Sequence, residues 1–150
     1  MFVGAKSTIK VLTIWVLSHI INKKRRGAKV GLSKFEVNFY KQENGDCPVK
    51  QFLDSLDNKM KAKILKMIKL LQQNGNELRE PYSKFLGDGI FELRVKQATD
   101  ITRILYFFVI GNKIILTNGF VKKTQKTPQG EIDLAKKYRD DFLKRKENKK

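Results

Sequence analysis

Two arginines lie in consecutive apolar segments, Arg94 in ELRV and Arg103 in TRILYF. A third apolar segment ends at Phe120 and is followed by three lysines: Lys122, Lys123 and Lys126. Because strand residues alternate faces, an arginine among apolar neighbours points out of the core or into a site. Guanidinium and ammonium groups bind phosphate oxygens. The three segments therefore predict a surface that holds phosphates.

The chain offers few other groups for catalysis. His19 is its one histidine and lies far from the arginine segments, which excludes Ser–His–Asp and Cys–His devices and a histidine-based metal site. The acidic residues near the arginines are Asp88, Glu92 and Asp100, and the surrounding positive charge disfavours a carboxylate metal site. We therefore predict a site without metal or cofactor. Cys47, the one cysteine, is interpreted as structural, which fits a reducing, cytoplasmic setting.

The chain is strongly basic, with 32 basic and 15 acidic residues and a net charge of +17. Residues 1–34 hold eight of the basic residues and no acidic residue, which leaves 24 basic against 15 acidic residues, or +9, in the remainder. Such a field favours a polyanion, with nucleic acid as the first expectation and a membrane surface as the second.

RNA suits such a site because it carries its own nucleophile, the ribose 2′-hydroxyl. An enzyme that aligns this group and stabilises the charge developing at phosphorus needs no metal ion. A lysine whose pKa is lowered by neighbouring positive charges can transfer protons there. An aromatic ring such as Phe120, Phe91 or Tyr106 can stack on an unpaired base.

These residues also have structural interpretations. Arg94 and Arg103 can form ion pairs with Glu92 or Asp100 instead of binding a ligand. Many of the lysines can serve only to solvate helix faces. Core packing is the better explanation for three aromatic residues taken singly: Tyr106, Phe107 and Phe108.

Hydrophobic periodicity predicts the order strand, two helices, three antiparallel strands, helix. Residues 35–40 alternate apolar and polar side chains, as in a half-buried strand. Pro48 suits the start of a short helix, and Asp57 can cap a second helix that Gly75 ends. Residues 76–88 are predicted to form a loop.

Three strands are then predicted near residues 90–97, 101–110 and 113–121, with a tight hairpin at Gly111-Asn112. Thr127-Pro128 breaks the chain before a last helix. We expect residues 144–150, a basic tail, to fray.

Residues 1–34 differ in composition from the rest. The apolar run at 9–21 is too short to span a membrane, and four basic residues follow it where a signal peptide would have a small-residue cleavage site. We interpret residues 1–34 as a basic and apolar extension and expect the native protein to begin near Leu32. An interfacial amphipathic helix is the alternative.

Four sequence blocks in the second half carry a family resemblance: 84–86 (KFL), 90–94 (IFELR), 102–107 (TRILYF) and 118–128 (NGFVKKTQKTP). With Glu131-Ile132 and Ala135, they resemble the RelE/HigB-type toxins of bacterial type II toxin–antitoxin modules, and among these the phage-derived HigB-like branch of the RelE/ParE superfamily. The resemblance covers about residues 35–143. It implies the α+β RelE-like fold, a small antiparallel sheet with two N-terminal helices packed on one side and a C-terminal helix.

The resemblance implies a metal-independent mRNA interferase, an endoribonuclease that cleaves ribosome-bound mRNA. By position, four residues match the family's catalytic and cleft-lining basic groups: Arg94, Arg103, Lys122 and Lys123. The implied RNA-binding residues are Lys84, Glu92, Phe120 and Lys126. Some family members place a histidine or a C-terminal tyrosine in the site. Here Tyr138 is the one tyrosine of the last helix, and the general acid and base stay unassigned.

The resemblance also implies partners. A cognate helix-turn-helix antitoxin would neutralise the toxin, and operator DNA would be contacted only through that antitoxin, with no membrane involved. Two alternatives stay open. A ParE-like sister branch with the same fold poisons DNA gyrase, and a non-catalytic phage-derived protein would only bind nucleic acid.

Overall fold

The computed structural model describes residues 35–149, so the expectations for residues 1–34 lie outside the described residues. Five strands form one sheet: β1 (Glu36–Phe39), β2 (Ser83–Gly87), β3 (Ile90–Gln97), β4 (Asp100–Val109) and β5 (Lys113–Val121). Three α-helices accompany it: α1 (Pro48–Asp54), α2 (Asn58–Asn74) and α3 (Gln129–Asn148). A short 3₁₀ turn, Gly75–Glu77, follows α2.

The strands lie in the spatial order β1-β5-β4-β3-β2, so that β1 and β2 form the two edges. β1 runs parallel to β5, and every other neighbouring pair is antiparallel. The predicted α+β class, with a mostly antiparallel sheet and a C-terminal helix, is confirmed.

Alternate residues of the central strands pack into two different core clusters. Ile104 and Tyr106 pack with residues of α1 and α2, whereas Leu105 and Phe107 pack with Ala135 of α3. Since successive strand residues point to opposite faces, the helix pair covers one face of the sheet and α3 covers the other. We call these the helix-pair face and the α3 face.

The predicted helix and turn signals are confirmed. Pro48 opens α1, and the Asp57 carboxylate caps α2 by accepting a hydrogen bond from the Met60 N–H (2.8 Å). Gly75, with φ of +52°, ends α2 in a conformation that favours glycine. Asn112 has φ of +63° in the hairpin between β4 and β5.

The predicted loop at 76–88 is wrong over its second half, where Ser83–Gly87 forms β2. This strand pairs only with β3, and both Lys84 and Phe85 are exposed. An edge strand contributes little to the core and therefore lacks the apolar alternation that marks a strand in a sequence.

The predicted fraying of residues 144–150 is also wrong over residues 144–148, because α3 continues to Asn148. The Arg145 guanidinium donates to the Asp141 carboxylate (2.7 Å) and to the Lys41 carbonyl, and it lies 5.4 Å from the ring centroid of Tyr40. Tyr40 in turn donates to Asp141. These contacts fasten the last turns of α3 to the end of β1.

Gly119 of β5 allows α1 to approach the sheet closely. A Cβ there would lie 2.3 Å from the Phe52 ring. We therefore expect Gly119→Ala to lower the free energy of unfolding by about 1–3 kcal/mol, as overpacking does, measured by urea unfolding followed by circular dichroism.

The matched control is Gly130→Ala in the first turn of α3, where an added Cβ meets nothing within 4 Å. It should leave stability unchanged or raise it by up to about 1 kcal/mol, because alanine favours the helix. Equal unfolding midpoints for the two variants would contradict this view of the contact between α1 and β5.

Candidate nucleic-acid interface

The two predicted arginines lie side by side across the sheet. The register pairs Arg94 of β3 with Arg103 of β4, and Arg103 in turn with Phe120 of β5. Two residues back along β3, Glu92 pairs with Lys84 of β2. Cross-strand partners share a face, as do residues two apart in one strand. All five positions therefore lie on the α3 face.

Glu92 lies at the centre of this group and is only 1% exposed. Its Oε1 is 3.6 Å from the Nε of Arg94 and 3.6 Å from the Nε of Arg103. Its Oε2 accepts a hydrogen bond from the hydroxyl of Thr127, just before α3. The ion-pair alternative considered for the two arginines is thus present in the structure, with Glu92 and not Asp100 as the partner.

This ion pairing has a clear electrostatic effect. Arg94 and Arg103 are cross-strand neighbours, and like charges directly opposite each other destabilise a sheet. One shared carboxylate offsets that repulsion while leaving the three groups with a net charge of +1. The ion pairs therefore leave a positive charge that can attract an anion.

Arg103 is the buried member of the pair, with 6% of its surface exposed. Its Nη1 donates to the Thr102 carbonyl (3.0 Å), while its Nε is buried without a hydrogen bond among the described residues. Burial lowers the pKa of Arg103, the charge of Arg94 lowers it further, and Glu92 opposes both. An arginine nevertheless keeps its charge at neutral pH.

Arg94 is the accessible member, with its side chain 27% exposed. Besides Glu92, its guanidinium faces Glu80, at 3.6 Å from Nη1 to the carboxylate. Glu80 is 62% exposed, so this second contact is a weak surface pair. An incoming phosphate can displace Glu80 at little cost, whereas Glu92 is held in place.

Lys122 follows β5 and lies half-buried beside this cluster. Its backbone N–H donates to the Ile101 carbonyl (2.8 Å), which fixes the start of the loop. Burial lowers the pKa of the Lys122 amine. Arg103, Arg94 and Lys84 lower it further by charge, against the opposing effect of Glu92. The lowered pKa increases the neutral fraction of the amine at a given pH, which suits proton transfer.

The other predicted lysines stand further out. Lys84, Lys123 and Lys126 are exposed, and no ion pair involves them within residues 35–149. The Thr124 hydroxyl donates to the Lys126 carbonyl (2.8 Å) and so shapes the loop that carries these side chains. They can contact a phosphate backbone but do not join the buried cluster.

Phe120 is the predicted RNA-binding residue whose ring lies in the core of this structure. Phe120 is 8% exposed and belongs to the core cluster under α3, so its ring is not offered to a base. Tyr106 and Phe107 are also buried, which confirms core packing for both. Tyr138 stacks on Tyr40, with ring centroids 4.6 Å apart.

Thr127 is the site residue that sequence reasoning missed. In the sequence it belongs to the 118–128 block and to the chain break before Pro128, with no role of its own, yet its hydroxyl donates to Glu92. A threonine directly before a helix and close to a basic cluster could have indicated a polar contact at the site. Its partner on β3, however, lies 35 positions away in sequence. Sequence spacing does not reveal such a contact.

Together these features define a small α+β protein with a basic site that suits an anionic ligand. Residues 51–140 match the model of the family described as phage derived protein Gp49-like (DUF891). The match spans more than half of the chain, so the protein belongs to this phage-derived family, which lies within the RelE/HigB toxin-like group.

The matched range includes the arginines, Glu92, the lysine loop and Thr127. A search of curated proteins found no match. In the part of the chain that the structure describes, no helix is long and apolar enough to cross a membrane.

The charges around Lys122 generate a direct prediction. Arg103→Met should raise the pKa of the Lys122 amine, because a positive neighbour is lost. Glu92→Gln should lower it further, because the one opposing negative charge is lost. NMR of reductively ¹³C-methylated lysines during a pH titration measures both shifts.

Shifts of Lys122 in the same direction for both substitutions would contradict the arrangement.

Proposed function

We propose that this protein is the toxin of a type II toxin–antitoxin module and acts as an mRNA interferase. In this proposal it cuts ribosome-bound mRNA without a metal ion, through attack by the ribose 2′-hydroxyl. The observation that carries the proposal is the cross-strand pair Arg94–Arg103, oriented by the buried Glu92 and flanked by Lys122.

The two arginines bind the scissile phosphate in this proposal. Arg94 is accessible and binds the phosphate, which replaces Glu80 as its partner. Arg103 is buried and supplies a fixed positive charge. Because Arg103 is buried, its interaction with charge developing at phosphorus is weakly screened by water. A preorganised donor of this kind stabilises a transition state by roughly 2.7–4 kcal/mol.

The reaction needs two proton transfers. The 2′-oxygen attacks the adjacent phosphorus and loses its proton, the bond from phosphorus to the 5′-oxygen breaks, and that oxygen gains a proton. The products are a 2′,3′-cyclic phosphate, which can open to a 3′-phosphate, and a 5′-hydroxyl. Lys122 is our candidate for one of these transfers because its pKa is lowered.

Exposed lysines extend the site along the RNA backbone. Lys84 lies on β2 beside Glu92, and Lys123 and Lys126 lie on the loop after β5. Each contributes a salt-dependent phosphate contact and no sequence selection.

A cognate antitoxin is the expected protein partner. Neutralisation requires a partner that covers the arginine cluster or blocks docking on the ribosome, and acidic groups suit a surface of this charge. Operator DNA would be reached only through the antitoxin, which we expect to be a helix-turn-helix protein encoded next to this chain.

Substitution of the arginines tests the proposal. Arg94→Met and Arg103→Met should each slow cleavage of ribosome-bound mRNA about 10²–10³-fold and relieve growth arrest, because each removes charge stabilisation in the transition state. The measurements are growth after induction and single-turnover cleavage on programmed ribosomes.

Two controls separate catalysis from folding and from net charge. Lys63→Met, at an exposed position of α2, removes one positive charge elsewhere and should retain toxicity. The double variant Glu92→Gln/Arg103→Met removes the buried carboxylate charge together with its buried arginine partner. It should therefore be more stable than Arg103→Met alone, but it should not regain cleavage.

Full toxicity of both single arginine variants would overturn the proposal. Growth arrest with intact transcripts and inhibited gyrase supercoiling would point to a gyrase poison. A harmless protein that still binds nucleic acid would point to a non-catalytic role.

A further inference from the structure

The row of residues that contains the two arginines extends to the edge of the sheet. Ser83 of β2 pairs with Leu93, and one step further the Arg94 N–H donates to the Tyr82 carbonyl (2.8 Å). Tyr82 is therefore the cross-strand neighbour of Arg94. Because such neighbours share a face, the row across the α3 face runs Tyr82, Arg94, Arg103, Phe120.

The two aromatic ends of this row differ in exposure. Phe120 is 8% exposed in the core, whereas Tyr82 is 47% exposed. Among the described residues, neither core cluster includes Tyr82. The sequence suggests Phe120, Phe91 or Tyr106 as a stacking ring, but the exposed ring in this row is that of Tyr82.

Phe85 of β2 provides a comparison, since Tyr82 lies directly before the same strand. It is 55% exposed, but its cross-strand partner is Phe91, with ring centroids 4.9 Å apart. Phe91 packs with the core cluster of the helix-pair face. Phe85 therefore lies on the opposite face from Arg94. Of the two exposed rings, that of Tyr82 shares a face with Arg94 and that of Phe85 does not.

An aromatic ring and an accessible guanidinium on neighbouring strands suit one nucleotide of single-stranded RNA, with the base on the ring and the phosphate on the guanidinium. Adjacent strands lie about 4.8 Å apart, so the backbone positions that carry the ring and the guanidinium are separated by roughly one strand spacing. The base and the phosphate of a nucleotide are joined through a single sugar. Every nucleobase offers a face that stacks on an aromatic ring, whatever its hydrogen-bonding edge.

We propose that Tyr82 forms a base-stacking subsite, on which an unpaired nucleobase of the RNA lies while the neighbouring phosphate contacts Arg94. The inference rests on the proposed function and adds a contact to the base, where the arginines and lysines contact only phosphates. It requires single-stranded RNA at this position, because a paired base has no free face for the ring.

Binding of an RNA that cannot be cut tests the subsite. The probe is a short single-stranded RNA with 2′-O-methyl riboses, and its affinity for the full chain is measured by fluorescence anisotropy. Tyr82→Leu should weaken binding roughly 5- to 150-fold, the range that loss of one stacked base gives. Tyr82→Phe, which keeps the ring, should bind like the unaltered chain.

The matched control is Phe85→Leu, which removes a similarly exposed ring from the other face and should leave affinity unchanged. A second test removes the base instead of the ring, by placing an abasic nucleotide at each position of the RNA in turn. At one position the unaltered chain should lose affinity to a similar degree, and Tyr82→Leu should lose nothing further there.

The outcomes separate this inference from the proposed function. If Arg94→Met weakens binding but Tyr82→Leu does not, the stacking subsite is refuted and the arginine site stands. If Tyr82→Leu and Phe85→Leu weaken binding equally, the effect is not specific to the α3 face and the subsite is again refuted.

The same variants are compared in single-turnover cleavage of ribosome-bound mRNA, where Tyr82→Leu should raise the protein concentration needed for half-maximal rate. A chain that neither binds the probe nor cuts this mRNA would refute both proposals.

Discussion

The site depends on one buried carboxylate. Glu92 is 1% exposed and shares its Oε1 between two guanidinium groups that the β3–β4 register places opposite each other. Burying an unpaired carboxylate would cost several kcal/mol, and two unneutralised arginines on adjacent strands would repel each other. The arginines offset the cost of burying the carboxylate, and the carboxylate offsets the repulsion between the arginines. Because the carboxylate is fixed, the arginines are fixed as well, and a fixed pair can act on a phosphate without first being ordered.

The same carboxylate links the sheet to the chain beyond it. Thr127 donates to its second oxygen, and α3 begins two residues later. The loop of lysines between β5 and α3 is therefore held at both ends, by the Lys122 N–H on the Ile101 carbonyl and by Thr127 on Glu92. At the far end of α3, contacts of Arg145 with Lys41 and Asp141 fasten the helix to the sheet. The helix that buries Phe120 thus also positions the basic loop.

Much of this arrangement could be predicted from the sequence, because local signals determine it. Strand periodicity located β3, β4 and β5, and Asp57 and Gly75 marked the ends of α2 as caps do. Strand alternation, however, says which residues share a face and not which part of that face a helix covers. Arg103 and Phe120 are neighbours in the register, yet the Arg103 guanidinium faces Glu92 and the Phe120 ring packs in the core. The edge strand β2 and the Thr127–Glu92 contact depend on pairing between segments that are distant in sequence. Such pairing produces no hydrophobic periodicity in the sequence.

The most direct test of the account is single-turnover cleavage of mRNA on programmed ribosomes, with one 2′-deoxynucleotide placed 5′ to the scissile phosphate. We expect this substitution to abolish cleavage at that position while leaving binding of the protein to the ribosome unchanged, because only the nucleophile has been removed. Cleavage at the same position and rate in the deoxy-substituted mRNA would contradict the proposed mechanism, since another nucleophile would then carry the reaction.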